Sequence, residues 1–575
     1  MRNLAFSAAI LLLGVVANSH AADLNGYSAQ YECRAGSPNC NVDVAALSTR
    51  ACDQTVSPST PWSSINWANN TICIQAGDHT AKGTLTLGSS GTSGTRKVLR
   101  YTRTSDSDDE PWGQSDGNRA KIHVLNTDAR SYWVVHRITF PPSSENGISR
   151  VNVSGASTNL IFNRILIEGN GAADNCYGGF VIDGSSFSVG FITLQNSVVR
   201  DARKCTFGSP VAVNMQLGNN NRVVNNEIYN WCEHQIQIGH NNVPTITNLV
   251  VENNDLYLSG AMYNSNGDAA AGWLLSIKAT ASTSEPIKII NNRLWGTRPQ
   301  TASLCGTPDS ASAIGFNANT GGLDTKFTMI RNNIITDSVG GISAYNNKIS
   351  RHSIIGNIFY DIGLRGTSLY SSGISFYSLS ETEVYLNSLI SVVGANSGNT
   401  DNGSMGQWGW AQNLDIRCNA LIGSGAVSTD SLASNSVADY NAFYGTTSFG
   451  FNGTNTNVAK SISTRVNSAA YSPGQVVRTT STPPENGTAG DFLYIVTNGG
   501  TTASAAPEYC TTLGCTTNDG SATVRAIRGP YTYYRKLRTS PERHTIPYAR
   551  AHASAPEAYG CPSDYARRFG IGIND

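Results

Sequence analysis

The sequence predicts an all-β protein wound as a parallel β-helix, and three observations carry that prediction. Charged residues make up only 14% of the 575-residue chain while glycine reaches 56, a balance that suits short strands and tight turns better than long solvated helices. A motif of Asn, any residue and an apolar residue returns along the chain at irregular intervals. Around it the apolar residues alternate with period two, the strand period, rather than falling three and four apart as on a helix.

The chain opens with Arg2, an apolar run from about Leu4 to Val16, and Ser19 and Ala21 at the −3 and −1 places of a cleavage site. This is the layout of a secretory signal, and the run is too short for a bilayer span. No later segment is apolar enough for one, so a secreted chain without a membrane span is expected, extracellular or periplasmic. Four regions follow from composition: a signal at 1–21, a β-helix with an N-terminal cap at 22–465, a small β module at 470–530, and a basic, Tyr-rich segment at 531–575. Twelve cysteines in an exported chain imply disulfides. Cys33, Cys40, Cys52 and Cys73 crowd the N-terminal region and Cys510 with Cys515 can close a small loop, but spacing leaves the pairing open. No Cys-x-x-Cys pair or zinc-like Cys/His cluster is present. Forty basic and 40 acidic residues cancel, so bulk charge gives no support for a nucleic-acid partner. A monomer is expected.

The Asn motif recurs at Asn163, Asn196, Asn226, Asn254, Asn292, Asn333, Asn357, Asn387, Asn419 and Asn441, with gaps of 22 to 41 residues. A short strand and turn are therefore constant while the connecting loops vary. Each Asn tolerates a left-handed or bridging turn, and its amide can bond to its equivalents in the coils above and below. A second strand repeats as "GFVID" (179–183), "NMQLG" (214–218), "QIQIG" (235–239), "LLSIK" (274–278), "AIGFN" (313–317), "GISAY" (341–345) and "GISFY" (373–377). Taking the second and fourth residues as core, Met215 with Leu217, Ile236 with Ile238 and Leu275 with Ile277 point inward. The outer wall then carries Asn214, Gln216, Gln235, Gln237, Ser276, Lys278, Asn317, Ser343, Tyr345, Ser375 and Tyr377, with His240 at its edge. Amides, hydroxyls and aromatic rings on one solvent-facing wall match the needs of a carbohydrate.

At the N-terminal end, "TICIQAGDH" (71–79) through "SGTSGTRKVLRY" (90–101), with "YWVVHRITF" (132–140) downstream, resembles the entry segment of secreted right-handed parallel β-helix proteins of the pectate-lyase-like class. The resemblance covers roughly residues 57–445. It implies the fold directly; the architecture hosts lyases, hydrolases, epimerases and non-catalytic binders. The Thr-, Gly- and Pro-rich stretch from Tyr471 resembles small β modules appended to secreted or phage surface proteins. It reads either as a glycan reader or as a shield over the open end of the solenoid.

Lys278 is a lone lysine in a wall poor in charge. "SIKAT" is similar to the lysine strand of β-helical lyases acting on alginate or dermatan-type chains. That likeness implies a secreted polysaccharide lyase that cleaves a uronate-containing polysaccharide by β-elimination, with Lys278 as base, Arg298 as its helper and His240 or Tyr345 as acid. Such a base requires an amine whose pKa is brought down towards 7 to 8 by desolvation or a neighbouring cation. Asn214, Gln216, Gln235, Gln237, Ser276, Asn317 and Tyr377 would hold the substrate. The likeness also implies calcium, but the places that would bear its ligands and an arginine hold Leu274, Ser276 and Asn317, so no ligand set is named. Two other readings remain open. A glycoside hydrolase needs two carboxylates about 5 to 9.5 Å apart, for which Asp183, Glu233 and Asp268 are the candidates. The third reading is a non-catalytic glycan-binding or adhesion protein.

Overall fold

A computed structural model describes residues 42–102, 119–142, 149–169, 178–182, 189–202, 211–231, 234–240, 244–258, 273–297, 312–317, 325–345, 349–363, 373–375, 379–385, 387–390, 392, 405–407, 413–417, 419–422, 427–429, 437–439, 442–444, 460–461, 463–473, 475–479, 492–510 and 515–528. Three long parallel sheets of 14, 14 and 12 strands account for most of them. The chain visits them in a fixed order, as in Thr158–Asn163 of sheet A, Leu166–Glu168 of sheet B and Gly178–Ile182 of sheet C. The next visit to each sheet pairs in parallel with the last. This is a parallel β-helix, as the period-two alternation and the Asn repeat predict.

The core is made of like side chains stacked on like. In sheet C, Phe180, Val213, Ile236, Leu275, Ile314 and Ile342 follow one another in register, all at 0% exposure. Sheet A stacks Phe162, Leu194, Val223, Val251, Ile289 and Ile330 in the same way. Burial of each such side chain contributes on the order of 2 kcal/mol. At the N-terminal end the short helix Val44–Ser48 sets Val44 and Leu47 against Val98, Val134 and Ile161 on the outside of sheet A.

The corner between sheets A and B shows what the Asn repeat does, and it divides the work between two positions. The residue that turns left-handed is the first, with φ of 49° at Asn196, 61° at Asn225, 55° at Asn253, 58° at Asn291 and 54° at Asn332. The residue after it forms the ladder. Asn226, Asn254, Asn292, Asn333, Asn357 and Asn387 each donate from Nδ2 and backbone N–H to the Oδ1 of the next rung, ending at Asn419. Asn196 and Asn163 belong instead to a second ladder on the left-handed side of the corner, where Asn253 donates from Nδ2 to Asn225 Oδ1, Asn225 to Asn196 and Asn196 to Asn163. Ser197 takes the rung below Asn226, accepting from Ile165 N–H. Asn163 ends its strand, where its Oδ1 accepts from Gln195 and Asn196. A two-residue corner offers several places suited to Asn, and the motif alone does not separate them. Asn441 lies outside the described residues.

A separate five-stranded sheet is built from Ser463–Thr464, Val476–Arg478, Phe492–Asn498, Thr516–Asp519 and Ala522–Arg528. Its small core holds Val477, Tyr494, Val496, Tyr509, Val524 and Ala526. Arg465 donates to both carboxylate oxygens of the buried Asp519, which also accepts the Tyr509 hydroxyl. Among the described residues two disulfides are formed, Cys52–Cys73 and Cys510–Cys515, a chemistry that persists in oxidising compartments. Among the described residues no helix is long and apolar enough to cross a membrane. The signal at 1–21, Cys33, Cys40 and the basic segment at 531–575 lie outside the described residues.

Candidate functional site

Sheet C carries the outward rows that the sequence singles out. One row runs Asn214, Gln237, Ser276, Gly315 and Ser343 on consecutive strands. The next sets Gly239 beside Lys278 and Asn317 beside Tyr345. Extending the pairing of Ile277 with Phe316 by one residue brings Asn317 next to Lys278. The row holding the lysine is thus Gly239, Lys278, Asn317 and Tyr345.

The register corrects one expectation. Asn214 pairs with Gln237, and Val213 and Met215 pair with Ile236 and Ile238. Gln216 and Leu217 therefore sit past the strand, two residues further on than the sequence reading has them. A slip of one residue would turn the core outward, but a slip of two keeps every side chain on its face. In "VAVNMQL" the residues Val211, Val213, Met215 and Leu217 share one parity, so alternation cannot choose between the two registers.

A second correction concerns exposure. The wall is not solvent-facing: Asn214 is 4% exposed, Gln237 7%, Ser276 0%, Lys278 8% and Ser343 2%. Gln237 Nε2 donates to Asn214 Oδ1 at 3.4 Å and to the Gly239 carbonyl at 3.1 Å. Gln235 is also buried, and its amide closes on the Trp231 backbone, accepting from N–H and donating to C=O at 3.0 Å each. Its role here is to brace the strand entry. The Ser276 hydroxyl is buried without a hydrogen-bond partner among the described residues. Beside Lys278, Gly239 has φ of 82°, and a Cβ there would lie 2.3 Å from the Lys278 carbonyl oxygen. Only glycine admits that approach. His240 follows it directly, half-buried.

Part of the cover comes from a residue absent from the predicted site. The Trp273 ring lies across Gly315, where a Cβ would come within 2.0 Å of the indole. It stacks parallel to His234 with ring centroids 5.7 Å apart, and His234 Nδ1 is 3.1 Å from the Trp273 carbonyl. Gly315→Leu should push the indole off the sheet, at a cost of about 1–3 kcal/mol for the repacking. A lowered urea midpoint with a changed near-ultraviolet tryptophan spectrum would verify this; an unchanged spectrum and midpoint would show that the ring does not rest there.

Among the other expected site residues, Arg298 and Tyr377 lie outside the described residues, and Asn317 and Tyr345 are placed by their backbones. The hydrolase candidates Asp183, Glu233 and Asp268 also lie outside. Among the described residues no group of three His, Cys, Asp or Glu side chains is gathered to hold a metal. Leu274 and Ser276 supply no carboxylate beside Lys278, so the described donors do not fit calcium and no step is routed through it.

The outside of sheet B holds a cluster that the sequence reading missed. Glu168, Arg200, Tyr229, Tyr257, Trp295, Thr336 and Tyr360 follow one another in register. Tyr229 stacks on Tyr257 at 4.7 Å and 3°, and Tyr257 on Trp295 at 4.3 Å and 9°. Alongside, Glu227 pairs with Asp255 and Asp255 with Arg293. Arg293 grips Asp255 through two nitrogens, Trp295 Nε1 donates to Asp255 at 3.2 Å, and the Tyr257 hydroxyl donates to Glu227 at 2.6 Å. The signal was present in the repeat itself, where "NEIY", "NDLY" and "NRLW" put a charge one place after Asn and an aromatic ring three places after it.

Burial pushes the Glu227 carboxyl up, and the neighbouring Asp255 adds to the rise against the Tyr257 hydrogen bond and the two arginines. The folded protein therefore binds this proton more tightly than the unfolded chain does. Its contribution to stability is full below the ordinary glutamate range and is lost as pH rises through the raised folded value. Glu227→Gln keeps an acceptor for Tyr257 and removes the titration. Urea midpoints should shift in favour of the variant as solution moves from acid to mildly alkaline; a pH-independent difference would contradict the assignment.

No family model and no curated protein matches the chain. Among solved structures it is similar to pectate lyase Pel9A, at 12% identity over 57% of this chain and 85% of that one, TM-score 0.33. A mannuronic acid specific polysaccharide family 6 lyase from human gut microbiota is 14% identical over 69% and 81%, TM-score 0.37. The Streptococcus pneumoniae surface adhesin PfbA is 11% identical over 76% and 92%, TM-score 0.34. Enzymes and an adhesin stand side by side among them.

Proposed function

We propose that the chain is a secreted polysaccharide lyase that cleaves a uronate-containing polysaccharide by β-elimination. The observation that supports it best is the row on sheet C that sets Lys278 between Gly239 and Asn317, with Tyr345 two strands away. At 8% exposure the lysine is largely out of water, the circumstance that a basic amine requires. Two strand spacings put roughly 10 Å between the Lys278 and Tyr345 backbones, about the span over which a base and an acid would flank one sugar residue.

In the reaction Lys278 takes the proton on the carbon beside the uronate carboxylate. The electron pair left behind forms the ring double bond and expels the glycosidic oxygen, which takes a proton from Tyr345 or His240. Arg298 offsets the carboxylate charge as the enolate develops. Gln237 and Asn214 stand in the adjoining row, where their amides would meet sugar hydroxyls.

The test is to incubate the purified protein with alginate, pectate and glycosaminoglycan and to follow the ultraviolet absorbance of the unsaturated uronate end. Its appearance supports elimination. New reducing ends without it would replace the proposal with hydrolysis, and binding without cleavage would replace it with a glycan-binding protein.

A further inference from the structure

We infer that the outside of sheet B contains a binding slot for a single pyranose ring, walled by Trp295 and Tyr360 and floored by Thr336. This slot lies on a different sheet from Lys278, and its test reads binding alone. Tyr229, Tyr257 and Trp295 place one aromatic ring per coil, with centroid steps of 4.7 and 4.3 Å and planes within 9° of parallel. The next residue in register is Thr336, and the one after it is Tyr360. A small hydroxyl residue therefore occupies one storey of a column that otherwise carries rings on both sides of it.

The height of that storey matches one kind of occupant. Two strand spacings separate the Trp295 and Tyr360 positions by about 9.6 Å. A flat group in contact with both walls needs about 3.5–4.0 Å on each side, so a single ring fits and two do not. Trp295, Thr336 and Tyr360 are each half-buried, which leaves the storey in reach of solvent. The rim is polar: Arg293 precedes Trp295 on the same face of its strand, and Asp337 follows Thr336 directly and turns left-handed with φ of 46°.

The chemistry selects the sugar. A pyranose between two aromatic walls must offer C–H bonds to both, because a hydroxyl pressed against either ring would be desolvated without a partner. That condition is met by a ring whose substituents are all equatorial, the gluco configuration in β linkage. An axial hydroxyl, as at C2 of a manno-configured ring, would project into one wall. The equatorial hydroxyls would point to the rim, where a carboxylate accepts, and to the Thr336 hydroxyl on the floor.

Calorimetric titration of the full chain with cellohexaose and with mannohexaose tests the assignment. Binding of cellohexaose at least tenfold tighter than mannohexaose is expected. Thr336→Tyr supplies the missing ring on a solvent-reaching position and should abolish cellohexaose binding while leaving the urea midpoint unchanged or raised. Tyr360→Ala, which removes one wall, should weaken binding at least tenfold. Absence of cellohexaose binding, equal affinity for the two sugars, or undiminished binding by the folded Thr336→Tyr variant would each overturn the slot.

Discussion

Asn292→Ala should destabilise the solenoid by about 4 kcal/mol. Asn292 Oδ1 accepts from the Asn254 backbone N–H and Nδ2, both at 2.9 Å, while its Nδ2 donates to Asn333 Oδ1 at 3.0 Å and to the Val251 carbonyl at 2.9 Å. Alanine strands two donors and deprives two acceptors at a site 1% exposed. Each stranded buried donor costs about 1–3 kcal/mol, and the ladder's members polarise one another, so the losses compound. Because each coil touches only its neighbours, the defect should open the stack locally. Amide exchange ought to accelerate most at Val250–Glu252, Ile287–Ile290 and Thr328–Arg331, the sheet A strands that lead into this corner. A loss below about 1 kcal/mol, or exchange that rises evenly along the chain, would show that the ladder decorates the corner without holding it.

On the proposed elimination, Lys278→Ala should lower the rate by about a thousandfold while leaving the fold intact, within the range that a positioned general base contributes. The side chain belongs to an outward row and ends the strand Leu275–Lys278, so its removal leaves the stacked core of Leu275 and Ile277 untouched. Lys278→Arg should not restore the rate, because a guanidinium keeps its proton at any pH the protein would meet. Urea midpoints of both variants separate chemistry from folding. More than a tenth of wild-type activity in Lys278→Ala would remove the lysine from the mechanism, whatever polymer is cleaved.

Fold and site were legible to different degrees, and particular residues show why. Ile236, Ile238, Leu275 and Ile277 announce a strand by their spacing alone, and a parallel stack follows once such strands recur beside an Asn corner. The same periodicity left Asn214 two residues out of place. Its parity was readable and its partner was not, since partner choice depends on where the preceding loop delivers the strand. Gln235 reads as an outward amide, yet it closes on Trp231 four residues earlier, a contact created by the bend between sheets B and C. Trp273 reads as an apolar residue next to a strand; that it covers Gly315 follows from the missing side chain in the coil beyond.

What the sequence determined by itself is local and repetitive: the strand period, the polar and apolar faces, the Asn corners, and the placing of a lysine on an outward parity in a wall of amides and hydroxyls. These are properties of a residue and its near neighbours along the chain, and the physics of alternation and turn conformation acts at that range. Tertiary structure decided which coil meets which, how far the wall is shielded from water, and that Glu227, Asp255, Arg293 and the rings of sheet B form one column. Those depend on residues some thirty positions apart being set about 4.8 Å from one another by backbone hydrogen bonds, a distance that spacing along the chain does not encode.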